Sequence, residues 1–511
     1  MANEIKTTSF PNEIVSFFNR PSGRSLMIKG SPGTGKTTFA LQLLEELADP
    51  DKSFYLSTRV SDEALYSQFP WLEEKEMRSR IVDSGRIFLK TLYKAEEGAE
   101  EVIESPVESQ TLSSAKGFLN TIDDEKGPPT KVDRTRLAAL LERTRMPEIE
   151  ATYDRVEYVL PEKTTLVIDS IEGITHKYNI DAEGLITALQ KDLVENSNTD
   201  LILVLEKAEI PQLEYLVDGV MSLSMSKIDG RRVREGHLIK LRATEIRQPA
   251  YLLTLQSGRF MCFEPFWPDR SKSNGWEIKP DTDTHYSTGI TDLDALLDGG
   301  FRKGSYNVIE IGHKVSNEEY YTLVIPILLN FISHNRGVVA VLTGGDHAET
   351  TRAELIPFMA EEHFDKYVRI ADYFIANSSK PYIMALGTRN KEEALKTWKE
   401  NLAALRADEN RPILDYTGFD TLEYLRGDTI AIKDLLNAVA KTKISEDLGL
   451  GIIKPGLKLT QEIMNMADTY LKILDIDKCP CIYGIKPKTM IYAIATDKDM
   501  GYPHVRLVPI V

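Results

Sequence analysis

Close to its start the chain reads Gly30-Ser31-Pro32-Gly33-Thr34-Gly35-Lys36-Thr37, preceded by the apolar run Ser25-Leu26-Met27-Ile28-Lys29. This matches, without a mismatch, the glycine-rich loop that joins a strand to a helix around phosphates. The glycines let backbone N–H groups turn inward, Lys36 supplies a point charge to the β- and γ-phosphates, and the Thr37 hydroxyl reaches Mg²⁺. From Thr38 onward Phe39, Ala40, Leu43, Leu44 and Leu47 recur at helical spacing, so a helix N-terminus faces the anion. A chance glycine-rich turn would lack the flanking strand and helix. The expected ligand is a nucleoside triphosphate, taken as ATP with Mg²⁺, held by Gly30, Ser31, Pro32, Gly33, Thr34, Gly35, Lys36, Thr37 and Thr38.

At 511 residues, 42% hydrophobic and 27% charged, the chain has globular composition and too much length for one ordinary core. Its first residues lack a charged-then-apolar signal and no stretch reaches the apolar length of a membrane helix, so the expected location is the cytoplasm, without membrane. Cys262, Cys479 and Cys481 cannot form a disulfide framework or a four-cysteine zinc site. Cys479-Pro480-Cys481 lies beside a strand-like run and is expected to pack. A formal charge of −16 repels polyanions, so nucleic acid would need a local basic patch.

The same plan occurs twice. Phe10 to Gly30 and Thr288 to Gly312 each lead through a short helix and a Gly/Ser turn into an apolar strand. Phe54-Tyr55-Leu56-Ser57-Thr58 is set against Val338 to Thr343, and Leu166-Val167-Ile168-Asp169-Ser170 against Ile413-Leu414-Asp415-Tyr416-Thr417, with Asp169 and Asp415 read as the strand-end aspartates of the two halves. Strands alternating with helical segments argue for an α/β fold with parallel sheets covered on both faces. We expect a first domain over residues 1–267, a linker over 268–283 rich in Pro, Ser, Asn, Asp and Gly, and a second domain over 284–511. The first half is longer, with an acidic, Pro/Gly-rich insertion near 94–145. Inside it Asp133 is expected to cap a helix through Arg145, either a solvated cover or a docking surface.

These motifs resemble the RecA superfamily of ATPases and, within it, the KaiC-like proteins. Thr288-Gly289-Ile290, Leu293-Asp294, Leu297, Gly299-Gly300 and Gly304-Ser305 are similar to the opening of a KaiC domain, and Val217 to Val220, Asp229 to Arg234 and Ile239 to Thr244 extend the likeness. More narrowly, the chain resembles the KaiC-like gas-vesicle regulatory protein D family (GvpD), with its P-loop after a similar Arg-Pro-x-Gly turn. The resemblance implies two tandem RecA-like P-loop domains, each a mostly parallel twisted sheet flanked by helices. Asp169, ending an apolar strand, fits the acidic residue that holds Mg²⁺ through water, a role the resemblance also assigns. By the same resemblance Lys240 and Arg242 match a Lys-x-Arg pair that reaches the γ-phosphate of a neighbouring subunit, which implies a homo-oligomer with a hexamer as one form. The alternative for that pair is a solvent-facing row on one strand.

Two departures modify this picture. Where KaiC-like ATPases carry paired glutamates to position water, this chain has Thr58-Arg59-Val60-Ser61-Asp62-Glu63. Asp62, Glu63, Glu172 and Glu206 remain as replacement carboxylates. A slow ATPase or a nucleotide switch is the expectation. In the second half the P-loop positions read Gly312-His313-Lys314-Val315-Ser316-Asn317-Glu318-Glu319. Aligned on the glycine, Glu318 takes the lysine position and Glu319 the threonine position. At ~4 Å each carboxylate–phosphate pair costs about 4 kcal/mol with an effective dielectric of 20, so the second site is expected to be lost and its domain kept for assembly or partner binding. The leading reading is an ATP-binding regulatory protein acting through a protein partner. The alternative is a RecA/RadA-like DNA-handling paralogue, for which Arg231-Arg232-Val233-Arg234 is the best surface and a solvated turn the plainer account.

Overall fold

The computed structural model describes residues 7–74, 77–85, 87, 131–141, 145–266, 275–387, 390–406, 411–497 and 500–511. Most of the expected insertion, and 268–274 of the expected linker, lie outside the described residues. Internal contacts divide the chain into two units, Ser9–Ser226 with Arg234–Cys262, and Met1–Thr8 with Lys227–Val233 and Phe263–Val511.

In chain order the strands begin β1 (Thr7–Thr8), β2 (Ser25–Gly30), β3 (Ser53–Ser57), β4 (Ile81–Asp83), β5 (Thr165–Asp169), β6 (Asp200–Leu205), β7 (Gly219–Ile228), β8 (Arg231–Leu241), β9 (Ala250–Thr254) and β10 (Met261–Phe263). Across the first large sheet the order runs β4-β3-β5-β6-β2-β7-β8-β9-β10. β2 pairs in parallel with β6 and β7, and β3 with β4 and β5, while β8, β9 and β10 are antiparallel neighbours. Every residue of β2 and β6 is buried, as expected of central parallel strands covered on both faces.

The second half adds β11 (His285–Tyr286), β12 (Phe301–Arg302), β13 (Tyr306–Ile311), β14 (Gly337–Val341), β15 (Val368–Asp372), β16 (Ile383–Ala385), β17 (Ile413–Gly418), β18 (Leu448–Ile453), β19 (Thr469–Ile476), β20 (Cys479–Lys486), β21 (Tyr492–Thr496) and β22 (Val505–Pro509). Its large sheet runs β16-β15-β14-β17-β18-β13-β19-β20-β21-β22. With β13 set on β2, β14 falls on β3, β15 on β4, β17 on β5, β18 on β6, and β19 to β22 on β7 to β10. Both halves are therefore α/β, with mostly parallel sheets flanked by helices, and the repeat read from the sequence extends to strand order.

The register corrects one equivalence. Thr165 and Asp169 lie beside Ser53 and Ser57, and Ile413 and Thr417 lie beside Gly337 and Val341. Thr417 therefore occupies the place of Asp169, and Asp415 sits mid-strand, because β17 continues to Gly418. An aspartate inside an apolar run looked like a strand end. Asp415 instead accepts a hydrogen bond from the Thr417 hydroxyl at 3.0 Å, and burial raises its carboxyl above the usual range.

Within the expected insertion, Asp133 accepts from the Thr135 N–H at 3.0 Å at the start of a helix, and Arg145 lies outside that helix. The helix is Thr135–Leu141, and a separate helix begins at Pro147. Leu137 is buried, its N–H on Asp192 at 3.1 Å, so this helix packs on its own unit. All three cysteines are buried, and burial pushes the Cys481 thiol up.

Asp200, at the head of β6, accepts from the Arg24 N–H at 2.9 Å and pairs with Lys163 at 2.8 Å. Burial still pushes its carboxyl from 3.8 up to about 6. Between those values the folded chain holds a proton that the unfolded chain has released, so this group's contribution to stability falls as pH rises through the window. The displacement corresponds to about 3 kcal/mol. In denaturant melts from pH 3.5 to 7, wild type should lose stability relative to Asp200→Asn by roughly that amount. A pH-independent difference would contradict this account.

Candidate functional site

β2 ends at Gly30, whose φ is 153° and where an added Cβ would stand 2.2 Å from the Leu223 carbonyl oxygen. Only glycine lets the chain leave the sheet there. Gly35 caps the following helix, Lys36–Leu47, with φ 102°, again a conformation that side chains disfavour. The helix is anchored by burial of Phe39, Leu41, Leu43 and Leu44, with the Phe39 ring edge-on to Phe10 at 5.4 Å and to Phe260 at 4.6 Å. Its N-terminus is thereby fixed beneath the loop.

The loop residues converge. The Thr34 hydroxyl donates to the Ser31 carbonyl at 2.9 Å, and Lys36 Nζ donates to the carbonyls of Gly30 at 2.8 Å and Ser31 at 3.0 Å. Arg234, buried on β8, donates to the Gly33 carbonyl at the loop's tip. Thr37, next along the helix, donates its hydroxyl to Asp169 Oδ2 at 2.7 Å, and the Tyr55 hydroxyl donates to the same oxygen at 2.6 Å. Desolvation raises the Asp169 carboxyl above its ordinary range, partly offset by those two hydroxyls. Thr38 is buried one residue further on.

Glu206, the first residue after β6, lies 3.5 Å from Lys36 and 3.5 Å from Arg59. Local sequence does not single out Glu206 among Asp62, Glu63, Glu172 and Glu206, and it does not mark Tyr55 or Arg234 as neighbours of the loop. Tyr55 carries no local signal, being one aromatic in a strand. Arg234 stood in the run considered for nucleic acid. That run is not a solvated turn, because Arg231 and Arg234 are both buried and only Arg232 and the intervening Val233 separate them.

Lys240 and Arg242 are not brought to the P-loop of their own chain. Arg242 pairs with Asp218 at 2.8 Å, and Asp218 in turn holds Ser25 at the opposite end of β2 from Gly30. Five strand steps of about 3.3 Å separate those ends. Lys240 Nζ donates to the carbonyls of Val217 at 2.6 Å and Glu214 at 3.1 Å. Arg242 remains exposed.

Residues 14–239 match the family model described as "GvpD gas vesicle protein, P-loop domain", and residues 275–381 match "GvpD basic region 2". The two matches together span well over half of the chain. It belongs to the GvpD family. Protein GvpD2 of Halobacterium salinarum is 26% identical, over 98% of this chain and 96% of that protein. Protein GvpD1 of the same organism is 24% identical, over 98% of this chain and 97% of that protein.

The stretch matching GvpD basic region 2 contains the degenerate loop of the second half. Strands β2 and β13 are each six residues long, and each is followed by five residues before a helix that starts at Lys36 in one case and Asn317 in the other. The element boundaries thus move the equivalence by one residue: Asn317 stands in the lysine position and Glu318 in the threonine position. Glu319 belongs to a capping box, its side chain accepting from the Ser316 N–H at 2.6 Å while the Ser316 hydroxyl accepts from the Glu319 N–H at 3.3 Å. The Ser316 and Glu319 N–H groups at this helix start are thus taken by the chain's own carboxylate and hydroxyl, and the carboxylate adds a negative charge where a phosphate would bind. In this half Lys454 follows β18 where Glu206 follows β6, and it lies 3.4 Å from Asn317 Oδ1. In residues 275–381 acidic side chains outnumber lysine and arginine. Several of the cations are paired, Arg336 with Asp281, Arg352 with Glu361 and Lys380 with Glu349.

Proposed function

We propose that the first domain, residues 1–267, binds ATP with Mg²⁺ and hydrolyses it slowly, and that residues 284–511 form a degenerate KaiC-type domain kept for assembly or partner contact. The observation that carries this reading is the convergence of Lys36, Thr37 and Asp169 at the end of β2, with the Thr37 hydroxyl 2.7 Å from the Asp169 carboxylate. Hydroxyl and carboxylate oxygens are hard donors suited to Mg²⁺, which keeps waters and phosphate oxygens as its remaining ligands. Bound there, the ion would neutralise charge on the β- and γ-phosphates. Among the described residues no cluster of three or more His, Cys, Asp or Glu forms a protein-only metal cage.

The bound triphosphate acts in this reading as a switch: the γ-phosphate orders the loops around it and releases them on hydrolysis, and the change is read by a protein partner in a regulatory pathway. A homo-oligomer, with a hexamer as one form, would bring Lys240 and Arg242 to a neighbour's phosphates. Cytoplasmic location fits the described residues, in which no helix is long and apolar enough to cross a membrane. Burial of Arg231 and Arg234 weakens the DNA-handling alternative, since duplex binding depends on exposed cations.

Titration calorimetry with Mg-ATP, paired with molecular mass with and without nucleotide, tests the reading. Absence of Mg-ATP binding would overturn it. The pH dependence gives a second check. Because the Asp169 carboxyl is raised above 3.8, its protonation should begin to weaken Mg-ATP affinity at a higher pH than an ordinary aspartate would. Asp169→Asn should bind weakly throughout and lose that part of the pH dependence.

A further inference from the structure

We propose that Glu206 is the water-orienting general base of this site, replacing the paired glutamates that the chain lacks after β3. The inference rests on the reading that the first domain binds a nucleoside triphosphate. β6 lies directly beside β2 in parallel, with Leu205 opposite Lys29. Residue 206 is therefore level with Gly30, where the phosphate loop begins. Its backbone N–H donates to Glu172 Oε1 at 2.9 Å, and Glu172 is itself buried in the first turn of the helix Ile171–Tyr178. The main chain at 206 is thus fixed from the neighbouring element.

From that anchor the partly buried carboxylate reaches two cations. One oxygen is 3.5 Å from Lys36 Nζ and the other 3.5 Å from Arg59 Nη1. Lys36 is the cation that meets the β- and γ-phosphates in such loops. A carboxylate 3.5 Å from that cation stands beside the place where such a loop would hold the terminal phosphate. Asp62 and Glu63, the carboxylates nearest in sequence to the missing pair, lie instead in the first turn of a helix capped by Ser61.

In the step assigned to it, Glu206 takes a proton from the attacking water as the water oxygen bonds to the γ-phosphorus. The bond from that phosphorus to the bridging oxygen breaks, its electron pair leaving with ADP, and the proton passes from Glu206 to the released phosphate. The same carboxylate lies against Lys36 and so competes with a phosphate for that cation. Arg59 keeps hold of the other oxygen and restrains the side chain.

The test uses the full-length protein and Glu206→Gln, with Glu206→Asp as a second variant, and reads Mg-ATP affinity by calorimetry and phosphate release at saturating ATP. Glu206→Gln should bind Mg-ATP at least as tightly as wild type, because the competing charge on Lys36 is gone, and should release phosphate about 100-fold more slowly or worse. Glu206→Asp should recover part of the rate. A merely structural role would lower affinity and rate together. Phosphate release by Glu206→Gln within about threefold of wild type would overturn the assignment. So would a wild type that binds Mg-ATP and releases no phosphate, while nucleotide binding itself would stand. A wild type that does not bind Mg-ATP would overturn the nucleotide reading and this assignment with it.

Discussion

Lys36→Ala is expected to abolish Mg-ATP binding at concentrations where wild type saturates, with wild type titrating at one nucleotide per chain. The ammonium of Lys36 is buried and held by two loop carbonyls and Glu206. It is therefore fixed inside the loop that would cradle the phosphates. Charge-assisted bonds to phosphate are about twice as strong as neutral ones, so removing this cation should lower affinity by about 100-fold or more. Thr37→Ala should weaken Mg²⁺-dependent binding in the same direction, by removing the hydroxyl beside Asp169. Glu318→Ala in the second half should change nothing, because that helix has no lysine at its start and its N-terminus is closed by the Ser316–Glu319 box. Two sites of similar affinity would contradict the degenerate reading of the second half.

Arg242→Ala is expected to reduce the rate of ATP hydrolysis by about 100-fold or more while leaving Mg-ATP affinity within a few-fold, as befits a cation that acts on charge developing in the transition state. In a single chain Arg242 is tied to Asp218 at the end of β2 remote from the loop. Any catalytic role must therefore be played across a subunit boundary. Truncation should spare the fold, since Asp218 keeps its bonds to the Ser25 N–H and hydroxyl. Mixing Arg242→Ala with Lys36→Ala chains should restore measurable activity, because some interfaces then pair an intact loop with an intact arginine. No recovery in assemblies that demonstrably exchange subunits would make Arg242 a surface partner of Asp218 and nothing more.

Much of this protein is written locally. The P-loop needs contiguous glycines that tolerate its dihedrals, an apolar strand before it and a helix after it, so Gly30 to Thr38 could be read without knowing the fold. Asp169 was legible for a similar reason, as an acid ending an apolar run. The duplication was legible because hydrophobic period and turn residues recur in order, and strand order then followed the same plan in both sheets. Loss of the second site's lysine was also visible, although the sequence placed it one residue late.

What the sequence left open depends on which strands become neighbours. β6 falls between β5 and β2, and only that order carries Glu206 to Lys36 and Arg59, residues separated from it by well over a hundred positions. Tyr55 meets Asp169 because β3 pairs with β5 in a register that sets Ser57 beside Asp169. The same kind of register moved the equivalent of Asp169 from Asp415 to Thr417, since a strand end is fixed by its pairing and not by where a charge interrupts an apolar run. Arg231 and Arg234 illustrate the converse: a basic run predicts a charged surface, but whether it is exposed is settled by packing and hydrogen bonding to remote carbonyls such as that of Gly33. Local dihedral and apolar patterns determine the elements and the loop motif, whereas contacts between sequence-distant side chains arise only when sheet order and register bring them together.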